Sequence, residues 1–410
     1  MTTPTTPTTP TTPTPPDRAT KDRPRLAIVA NAPAPYRVAQ HTRLARELTG
    51  VETFSLFKHE FNNQRYTLEL PGEINPVIFG TGEAMDSKNK GLAKFKQWAR
   101  GGEILRWTEG AGIDALIVTG YNDLGLLRLI RNAHKTGLPC FMFTDSNVHG
   151  DRATGLARTI KDLYVPWIVR QLTGLLPCGR RGVEYYERYG ADRNRCFYMP
   201  HEPDYGAIEA VGEDRVDAMR AEYGLKRDRR YINFTARMAK VKRPEILIDA
   251  FARIADERPE WDLLMVGSGP LDDEMKARVP EALKGRVIWA GFQDGMERLA
   301  ALYKASDIYC LPSDYEPWAA TVIEACACGC AMVISDVVGA APEVVENGVN
   351  GQQFRSGSTD SLTGALLDVT ANADAYKAQS PRVSAEWRER GDPVKGVRDA
   401  LRFAGVLDAP

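Results

Sequence analysis

The amino-acid sequence predicts an α/β protein built from two doubly wound domains. Short apolar runs, typical of buried parallel strands, alternate with longer segments of helical periodicity on both sides of the middle of the chain. Two prolines interrupt this alternation within residues 199–203. A chain of 410 residues is long enough to give each of two domains its own core. We therefore expect an N-terminal domain over residues 23–203 and a C-terminal domain over residues 204–384.

In the N-terminal half, a strand–helix–strand unit gives the clearest pattern. The apolar runs 115–119 and 140–144 flank the helical segment 124–135. An earlier run, residues 25–30, has the same buried-strand composition, and a helical segment from about 39 to 48 follows it. This order predicts parallel strands that are joined by helices.

The same order returns in the C-terminal half. The predicted strands there are residues 231–235, 263–266, 287–290 and 307–312, and the predicted helices are residues 244–256, residues 321–328 and an acidic helix that starts near Glu213. Gly329 follows the last of these helices, at a position where glycine commonly ends a helix.

The N-terminal segment and the composition of the chain indicate the compartment in which the protein is expected. After Met1, residues 2–16 contain only Thr and Pro, so we expect residues 1–22 to be a disordered tail and not a signal peptide. No apolar run reaches the ~18–20 residues that span a bilayer. Seven cysteines in apolar segments favour a reducing compartment, and we expect a cytoplasmic protein. A net charge of −1 gives no global attraction to nucleic acid.

Two glutamates lie eight residues apart where a predicted strand gives way to a helix. Glu316 follows the strand, at the sheet edge where open α/β sheets bind ligands, and Glu324 lies two turns into the helix. The N–H groups of the first turn lack helical partners and carry the positive end of the helix dipole. Carboxylates can accept hydrogen bonds from hydroxyl groups, and N–H groups can donate to a phosphate. Together they suit a sugar that is attached to a phosphate. A surface loop with incidental acids is the alternative.

A basic loop follows the predicted strand 231–235. Arg237 comes directly after this strand, and Lys242 lies just before Pro244 in the first turn of the next helix. A forked guanidinium and a point-charge ammonium on one loop can converge on a pyrophosphate. For this segment taken alone, a solvated basic loop is the alternative.

The two motifs together resemble a known family. The Glu316-x7-Glu324 spacing, the sequence Glu-Ala-Cys-Ala-Cys-Gly from residue 324 and the segment 333–343 are similar to the retaining glycosyltransferases of family 4. The resemblance implies the GT-B architecture, in which two Rossmann-like domains face a central cleft. It also implies that Glu316 holds hydroxyls of the donor sugar, that Glu324 binds the nucleotide ribose, and that Arg237 and Lys242 stabilise the departing diphosphate.

The resemblance extends to further donor-side positions and to the end of the chain. By resemblance, the nucleotide lies near Gly267, Gly269 and Phe292, and the sugar lies near the backbone of Trp318, Ala319, Ala320 and Thr321. Relatives usually have Gly at the position of Ala319, so this chain departs from the family pattern there. The last helix of relatives crosses back onto the first domain, and residues 385–410 are expected to do so here.

The acceptor side is expected in the N-terminal domain, where the resemblance is weaker. Tyr36 and Arg37 belong to a Pro-Tyr-Arg loop after the first strand that resembles a subset of the family. Asp145 ends a strand that faces the cleft, and His149 is the nearest match to a histidine that relatives place in this domain. A loop histidine with ordinary hydrogen bonds is the alternative for His149.

We expect no metal and no cofactor besides the sugar nucleotide. The chain contains no Asp-x-Asp, the motif with which metal-dependent transferases of another architecture hold a cation on the diphosphate. Arg237 and Lys242 would supply the positive charge instead.

Residues 88–107 combine basic and apolar side chains in the pattern of an amphipathic helix. Such a helix can lie on an anionic membrane, which would be useful for a lipid-linked acceptor. Alternatively, it packs one face on its own domain. We expect Gly101 and Gly102 to break the helix.

The sequence thus predicts a retaining, metal-independent glycosyltransferase that moves a sugar from a nucleotide-diphosphate sugar, with UDP favoured, to a hydroxyl of a glycan, a lipid-linked acceptor or a small molecule. Two alternatives stay open: an inactive sugar-nucleotide-binding or regulatory protein, and a GT-B glycoside phosphorylase. A nicotinamide oxidoreductase is disfavoured, because residues 267–269 lack the third glycine of the dinucleotide fingerprint.

Overall fold

The N-terminal domain contains a parallel six-stranded sheet. The computed structural model describes residues 13–61, 69–83 and 92–408 of the chain. The strands of this domain are β1 (Arg25–Ala30), β2 (Glu52–Phe57), β3 (Pro76–Ile78), β4 (Ala115–Thr119), β5 (Cys140–Thr144) and β6 (Gly174–Pro177), and the helices are α1 (Pro35–Glu47), α2 (Leu92–Gly110), α3 (Leu124–Thr136), α4 (Gly155–Val169) and α5 (Arg180–Glu187). The strand order is β3-β2-β1-β4-β5-β6, so the winding direction reverses between β1 and β4.

The C-terminal domain repeats this topology. Its strands are β7 (Arg230–Thr235), β8 (Trp261–Val266), β9 (Val287–Gly291), β10 (Ile308–Leu311), β11 (Ala331–Ser335) and β12 (Gly351–Phe354). The helices after α5 are α6 (Tyr205–Ala210), α7 (Glu213–Tyr223), α8 (Pro244–Ile254), α9 (Asp272–Arg278), α10 (Met296–Lys304), α11 (Ala320–Ala327), α12 (Ala341–Val344), α13 (Thr359–Ala371), α14 (Ala373–Arg390) and α15 (Pro393–Phe403). The sheet order β12-β11-β10-β7-β8-β9 reverses between β7 and β10.

The prediction of two doubly wound domains is confirmed. Strands β1, β4 and β5 have the predicted bounds, because these apolar runs are covered by helices on both faces of the sheet and every residue of β1 is buried. Helix α1 begins at Pro35, four residues before the predicted start at residue 39. Proline at the first helical position needs no N–H partner and has a helical φ, which explains the earlier start.

Residues 13–22 contact the N-terminal domain, in contrast to the free tail that we expected up to residue 22. Asp17 caps a short 3-10 helix, with its carboxylate accepting the Ala19 N–H at 2.8 Å. The Lys21 ammonium pairs with Asp114 and donates to the Gly112 carbonyl at 3.2 Å. These charges, which composition-based reasoning overlooked, attach this segment to the domain. Residues 1–12 lie outside the described residues.

Helix α15 lies on the N-terminal domain. The Arg43 guanidinium of α1 pairs with Asp392 at 3.0 Å, and Arg398 donates to the Glu47 carbonyl at 3.0 Å. Gly396 faces the Tyr198 carbonyl so closely that a Cβ atom would come within 1.8 Å of the oxygen. The segment predicted as one element over residues 385–410 therefore comprises the end of α14 and all of α15.

Helix α2 continues through Gly101 and Gly102, so the predicted break is wrong. A Cβ atom on Gly101 would lie 2.6 Å from the Gly125 Cα atom of α3, so the glycine permits a close helix–helix contact. Ile104 and Trp107 are buried in the domain, whereas Phe95 and Trp98 are exposed. Lys88 and Lys90 of the predicted basic segment lie outside the described residues. No described helix combines the length and apolar composition that are needed to cross a bilayer.

Candidate active site

Two loops meet at the point where the winding of the C-terminal sheet reverses. Residues 236–243 follow β7 and residues 312–319 follow β10, and these two strands are paired neighbours. The Asp314 N–H donates to the Val241 carbonyl at 2.9 Å, and Arg243 donates to both Asp314 carboxylate oxygens at 3.0 and 2.7 Å. The carboxyl ends of parallel strands thus bring the two sequence motifs into one site.

The predicted catalytic residues lie together in this site. The Lys242 ammonium forms an ion pair with the Glu316 carboxylate, and both side chains are largely buried. Arg237 is exposed and forms no ion pair or hydrogen bond with any described residue. One cation is therefore held against the carboxylate, while the Arg237 guanidinium on the same loop is available to a ligand. This arrangement suits an anionic group that is attached to a hydroxyl-bearing one.

The N-terminus of α11 completes the site. No other described residue accepts a hydrogen bond from the backbone N–H groups of Ala319, Ala320 or Thr321. These donors stand at the positive end of the helix, directly after the loop that carries Glu316. The Thr321 hydroxyl is held by the Tyr309 hydroxyl, which donates to it at 2.9 Å.

Ala319 has a left-handed backbone, with φ +73° and ψ 82°. A side chain is strained in this region, and glycine is not, which explains why a glycine is expected there. Replacing Ala319 by Gly should raise the free energy of unfolding by about 1 kcal/mol. Chemical denaturation of the wild type and the variant measures this difference. The matched control is Ala320→Gly in the first turn of α11, which should lower the stability by about 0.5–1 kcal/mol. A loss of stability in both variants would contradict the inference that the backbone of Ala319 is strained.

Glu324 is buried, with 7% of its surface exposed. The Tyr303 hydroxyl donates to its carboxylate at 3.1 Å. Burial raises the pKa of Glu324 to about 7, because the ionised form loses its water, and the tyrosine bond opposes this shift only in part. A carboxyl group of this kind gains from any ligand that donates further hydrogen bonds to it.

The two glycines of residues 267–269 support the basic loop. Gly267 has φ +117°, and a Cβ atom there would come within 2.1 Å of the Ala236 carbonyl oxygen. A Cβ atom on Gly269 would come within 2.4 Å of the Met238 carbonyl oxygen. These glycines therefore let the turn after β8 pack directly on the backbone around Arg237. Phe292 follows β9 with 69% of its surface exposed, so its ring is free to stack on a planar ligand.

The side chain of Trp318 packs towards the segment that connects the two domains. Its indole ring is buried against Trp387, with ring centroids 5.6 Å apart, and its N–H donates to the His201 carbonyl at 2.7 Å. The side chain therefore fixes the loop to the segment that connects the two domains. Only the backbone of Trp318 is left for a contact with a sugar.

Asn147, which the sequence analysis did not single out, connects the N-terminal domain to the same loop. Its amide group donates to the carbonyls of Glu316 and Pro317 at 2.9 and 3.0 Å. Its own carbonyl accepts the N–H groups of His149 and Gly150, which fixes the asparagine side chain. An asparagine directly before a short turn is a sequence signal for the bonds to the His149 and Gly150 N–H groups. No local pattern indicates the bonds to the Glu316 and Pro317 carbonyls.

Three of the four predicted acceptor-side residues line one pocket of about 230 Å³ in the N-terminal domain: Tyr36, Arg37 and Asp145. The pocket lies at the carboxyl ends of β1, β4 and β5. Asp145 is exposed at the mouth of the pocket, where partial desolvation by the surrounding groups raises the pKa of its carboxyl group. His149 is not among the lining residues, and its pKa is lowered by burial and by the nearby Arg181.

His201 also lines this pocket, and the sequence analysis missed it as a site residue. Its ring packs edge-on against Tyr36 and Phe143, with centroid distances of 4.8 and 4.9 Å. Burial and the charge of Arg37 lower the pKa of His201 to about 4, so the ring is neutral at pH 7. Its Nδ1 atom is buried and has no hydrogen-bond partner among the described residues.

Sequence comparison finds a family similarity in the C-terminal domain. Residues 216–384 match the family model described as glycosyl transferases group 1. The matched region contains Arg237, Lys242, Glu316 and Glu324. This part of the chain is therefore similar to group 1 glycosyl transferases.

Curated relatives align over part of the chain. An uncharacterised glycosyltransferase of Methanocaldococcus jannaschii is 30% identical over 172 residues, which are 42% of this chain and 43% of the relative. A D-inositol 3-phosphate glycosyltransferase of Rhodococcus erythropolis is 31% identical over 235 residues, which are 54% of this chain and 51% of the relative. The chain thus spans about half the length of these relatives.

The fold extends beyond the aligned sequence. The Anabaena protein HepE, crystallised with UDP and glucose, superimposes with a TM-score of 0.70 at 15% identity, over 94% of this chain and all of HepE. The two doubly wound sheets therefore have the GT-B architecture.

Proposed function

We propose that this chain, which has a GT-B fold and is similar to group 1 glycosyl transferases over residues 216–384, transfers a sugar from a nucleotide-diphosphate sugar to a hydroxyl group with retention of configuration. The observation that carries the proposal is the Lys242–Glu316 ion pair beside the unpaired Arg237 and the N-terminus of α11. The cations and N–H groups suit a diphosphate, and the carboxylate suits sugar hydroxyls. A UDP-sugar is favoured as the donor, since HepE was crystallised with UDP and glucose.

In the proposed reaction, the acceptor oxygen attacks the anomeric carbon from the face that the diphosphate leaves. The bond between the anomeric carbon and the diphosphate oxygen breaks, and the departing phosphate takes the acceptor proton. Arg237 and Lys242 stabilise the charge that accumulates on the leaving group, which is the electrostatic task that commonly dominates catalysis. In this scheme the protein needs no metal ion and no dedicated base.

The polar pocket in the N-terminal domain is the proposed acceptor site. Its volume of about 230 Å³ suits a unit of roughly the size of one sugar ring. Arg37, Asp145 and the neutral His201 offer it both donors and acceptors of hydrogen bonds. The pocket adjoins the donor loop. Asn147 follows the lining residue Asp145 by two positions, and its amide group donates to the carbonyls of Glu316 and Pro317.

Glu324 makes the binding of the nucleotide depend on pH. Two ribose hydroxyls would donate to the ionised carboxylate, so binding favours the form that exists above the pKa of about 7. We expect the affinity for UDP to be level above pH 7 and to fall by up to about tenfold per pH unit below it. Calorimetric titration from pH 5.5 to 8.5 measures this dependence.

The Glu324→Gln variant is the control for the titration of the UDP phosphate itself. The variant should bind UDP weakly at every pH. The ratio of the wild-type affinity to the variant affinity for UDP should therefore rise as the pH increases towards 7. A constant ratio over this range would contradict the role of Glu324 in binding the ribose.

The function is tested in two steps. Thermal shifts with UDP, GDP, ADP, TDP and their sugar conjugates, with and without EDTA, identify the donor, because a ligand at a hundred times its Kd stabilises by about 2.7 kcal/mol. NMR of the product formed from the identified donor then gives the anomeric configuration. Retention without metal supports the proposal, and inversion or strict metal dependence contradicts it. Binding without turnover on any acceptor would favour the inactive regulatory protein, and phosphate-dependent breakdown of a glycoside would favour the phosphorylase.

A further inference from the structure

Helix α4 presents an apolar stripe to solvent. Leu156, Ile160, Leu163 and Trp167 follow each other at helical spacing and are 77%, 56%, 72% and 39% exposed. Large apolar side chains in such an unbroken row on one helix face mark a surface that contacts something apolar. The only buried side chains of α4 belong to Val165, Ile168 and Val169, near the end of the helix.

The apolar stripe is continuous with the proposed acceptor pocket. Tyr121 lines that pocket, and its ring contacts the ring of Tyr164 with a centroid distance of 6.2 Å. Tyr164 in turn stacks on Trp167 at 6.1 Å. An acceptor with a polar head and an apolar chain could therefore place its head in the pocket and its chain against α4.

The helical layer that contains the stripe carries a basic excess, which lies on α2 and α3 because Arg158 and Lys161 of α4 pair with Asp151 and Asp162. Helices α2, α3 and α4 together carry nine Lys and Arg residues against three acidic residues, whereas the whole chain has a net charge of −1. Helices α2 and α3 are packed together, and right-handed crossovers place all three helices on one face of the sheet. Two further exposed aromatic side chains, Phe95 and Trp98, lie on α2 beside Lys94 and Lys96.

We propose that the apolar stripe of α4 inserts into the interface of an anionic membrane and that the basic residues of α2 and α3 hold the domain on its surface. Apolar side chains that enter the headgroup region and cations that attract anionic lipids are the two terms of interfacial binding. The acceptor pocket then opens beside the bilayer, so the fitting acceptor is one with a lipid chain. The choice of acceptor rests on the proposed function, but the membrane contact does not.

Co-sedimentation of the full chain with vesicles tests the contact. We expect binding to vesicles of phosphatidylcholine with 30% phosphatidylglycerol, at least tenfold weaker binding to pure phosphatidylcholine, and loss of binding at high salt. The Ile160→Glu/Leu163→Glu variant should bind the anionic vesicles at least tenfold more weakly. The control, Ala375→Glu/Ala378→Glu, adds the same charge at two exposed positions of α14 and should bind as the wild type does.

Calorimetric titration with UDP separates this inference from the proposed function. Both variants should bind UDP as the wild type does, which also shows that they are folded. Absence of vesicle binding by the wild type, or equal binding by the stripe variant, would overturn the inference. It would also be overturned if sedimentation velocity showed a dimer that the stripe variant abolishes, because a second copy would then cover the stripe.

Discussion

Replacing Arg237 by Ala should lower kcat by about a hundredfold to a thousandfold while changing the affinity for the nucleotide by much less. The guanidinium has no partner among the described residues, so its removal leaves no buried charge uncompensated. Its charge matters most when the diphosphate departs, and a group that acts mainly in the transition state affects kcat more than ground-state binding. Steady-state kinetics and calorimetric titration with UDP measure the two effects on the same protein.

The matched control for Arg237 is Lys240→Ala, which removes an exposed cation from the same loop. This variant should retain kcat within about threefold, because a general loss of positive potential at an exposed site is screened by solvent and salt. Equal losses of turnover and nucleotide affinity in Arg237→Ala would show that Arg237 only binds the diphosphate.

Replacing Glu316 by Gln should lower kcat/KM for the sugar nucleotide by about a hundredfold. The substitution keeps the size of the side chain but removes the charge that pairs with Lys242 and that would accept the sugar hydroxyls. Free UDP lacks the sugar, so its affinity should change by less than about threefold. The comparison of UDP with the UDP-sugar therefore tests whether Glu316 acts on the sugar.

The control for Glu316 is Asp314→Asn in the same loop, which disturbs the pair between Asp314 and Arg243. This variant alters how the two loops are held together, so it should weaken UDP and the UDP-sugar to a similar extent. If Glu316→Gln also weakened both ligands equally, its role would be to position the loop and not to bind the sugar.

The sequence was sufficient to predict the architecture and the two loops that meet at the candidate site. Buried parallel strands require uninterrupted apolar runs, and this local requirement gave β1, β4 and β5 with their observed bounds. Ligand sites of doubly wound sheets lie at the carboxyl ends of the strands, so the sequence could place Arg237, Lys242 and Glu316 in the loops after β7 and β10, where the structure has them. The same reasoning failed for Gly101 and Gly102, where a contact with a second helix outweighs the low helix propensity of glycine.

Interactions between segments that are distant in sequence were decided only by the tertiary structure. The bonds of Asn147 to the loop of Glu316, and of Trp318 to His201, join residues that are more than a hundred positions apart. Tertiary packing also decides two further features. The surrounding chain holds Ala319 at a left-handed φ, and the α4 stripe is exposed because no other described element packs on it. By itself, therefore, the sequence determined what the local pattern of apolar and charged residues encodes, namely the strands, the helices and the chemistry of the two motifs. Packing determined which of these groups meet, which carry strain and which stay exposed, because contacts across the fold are absent from any local pattern.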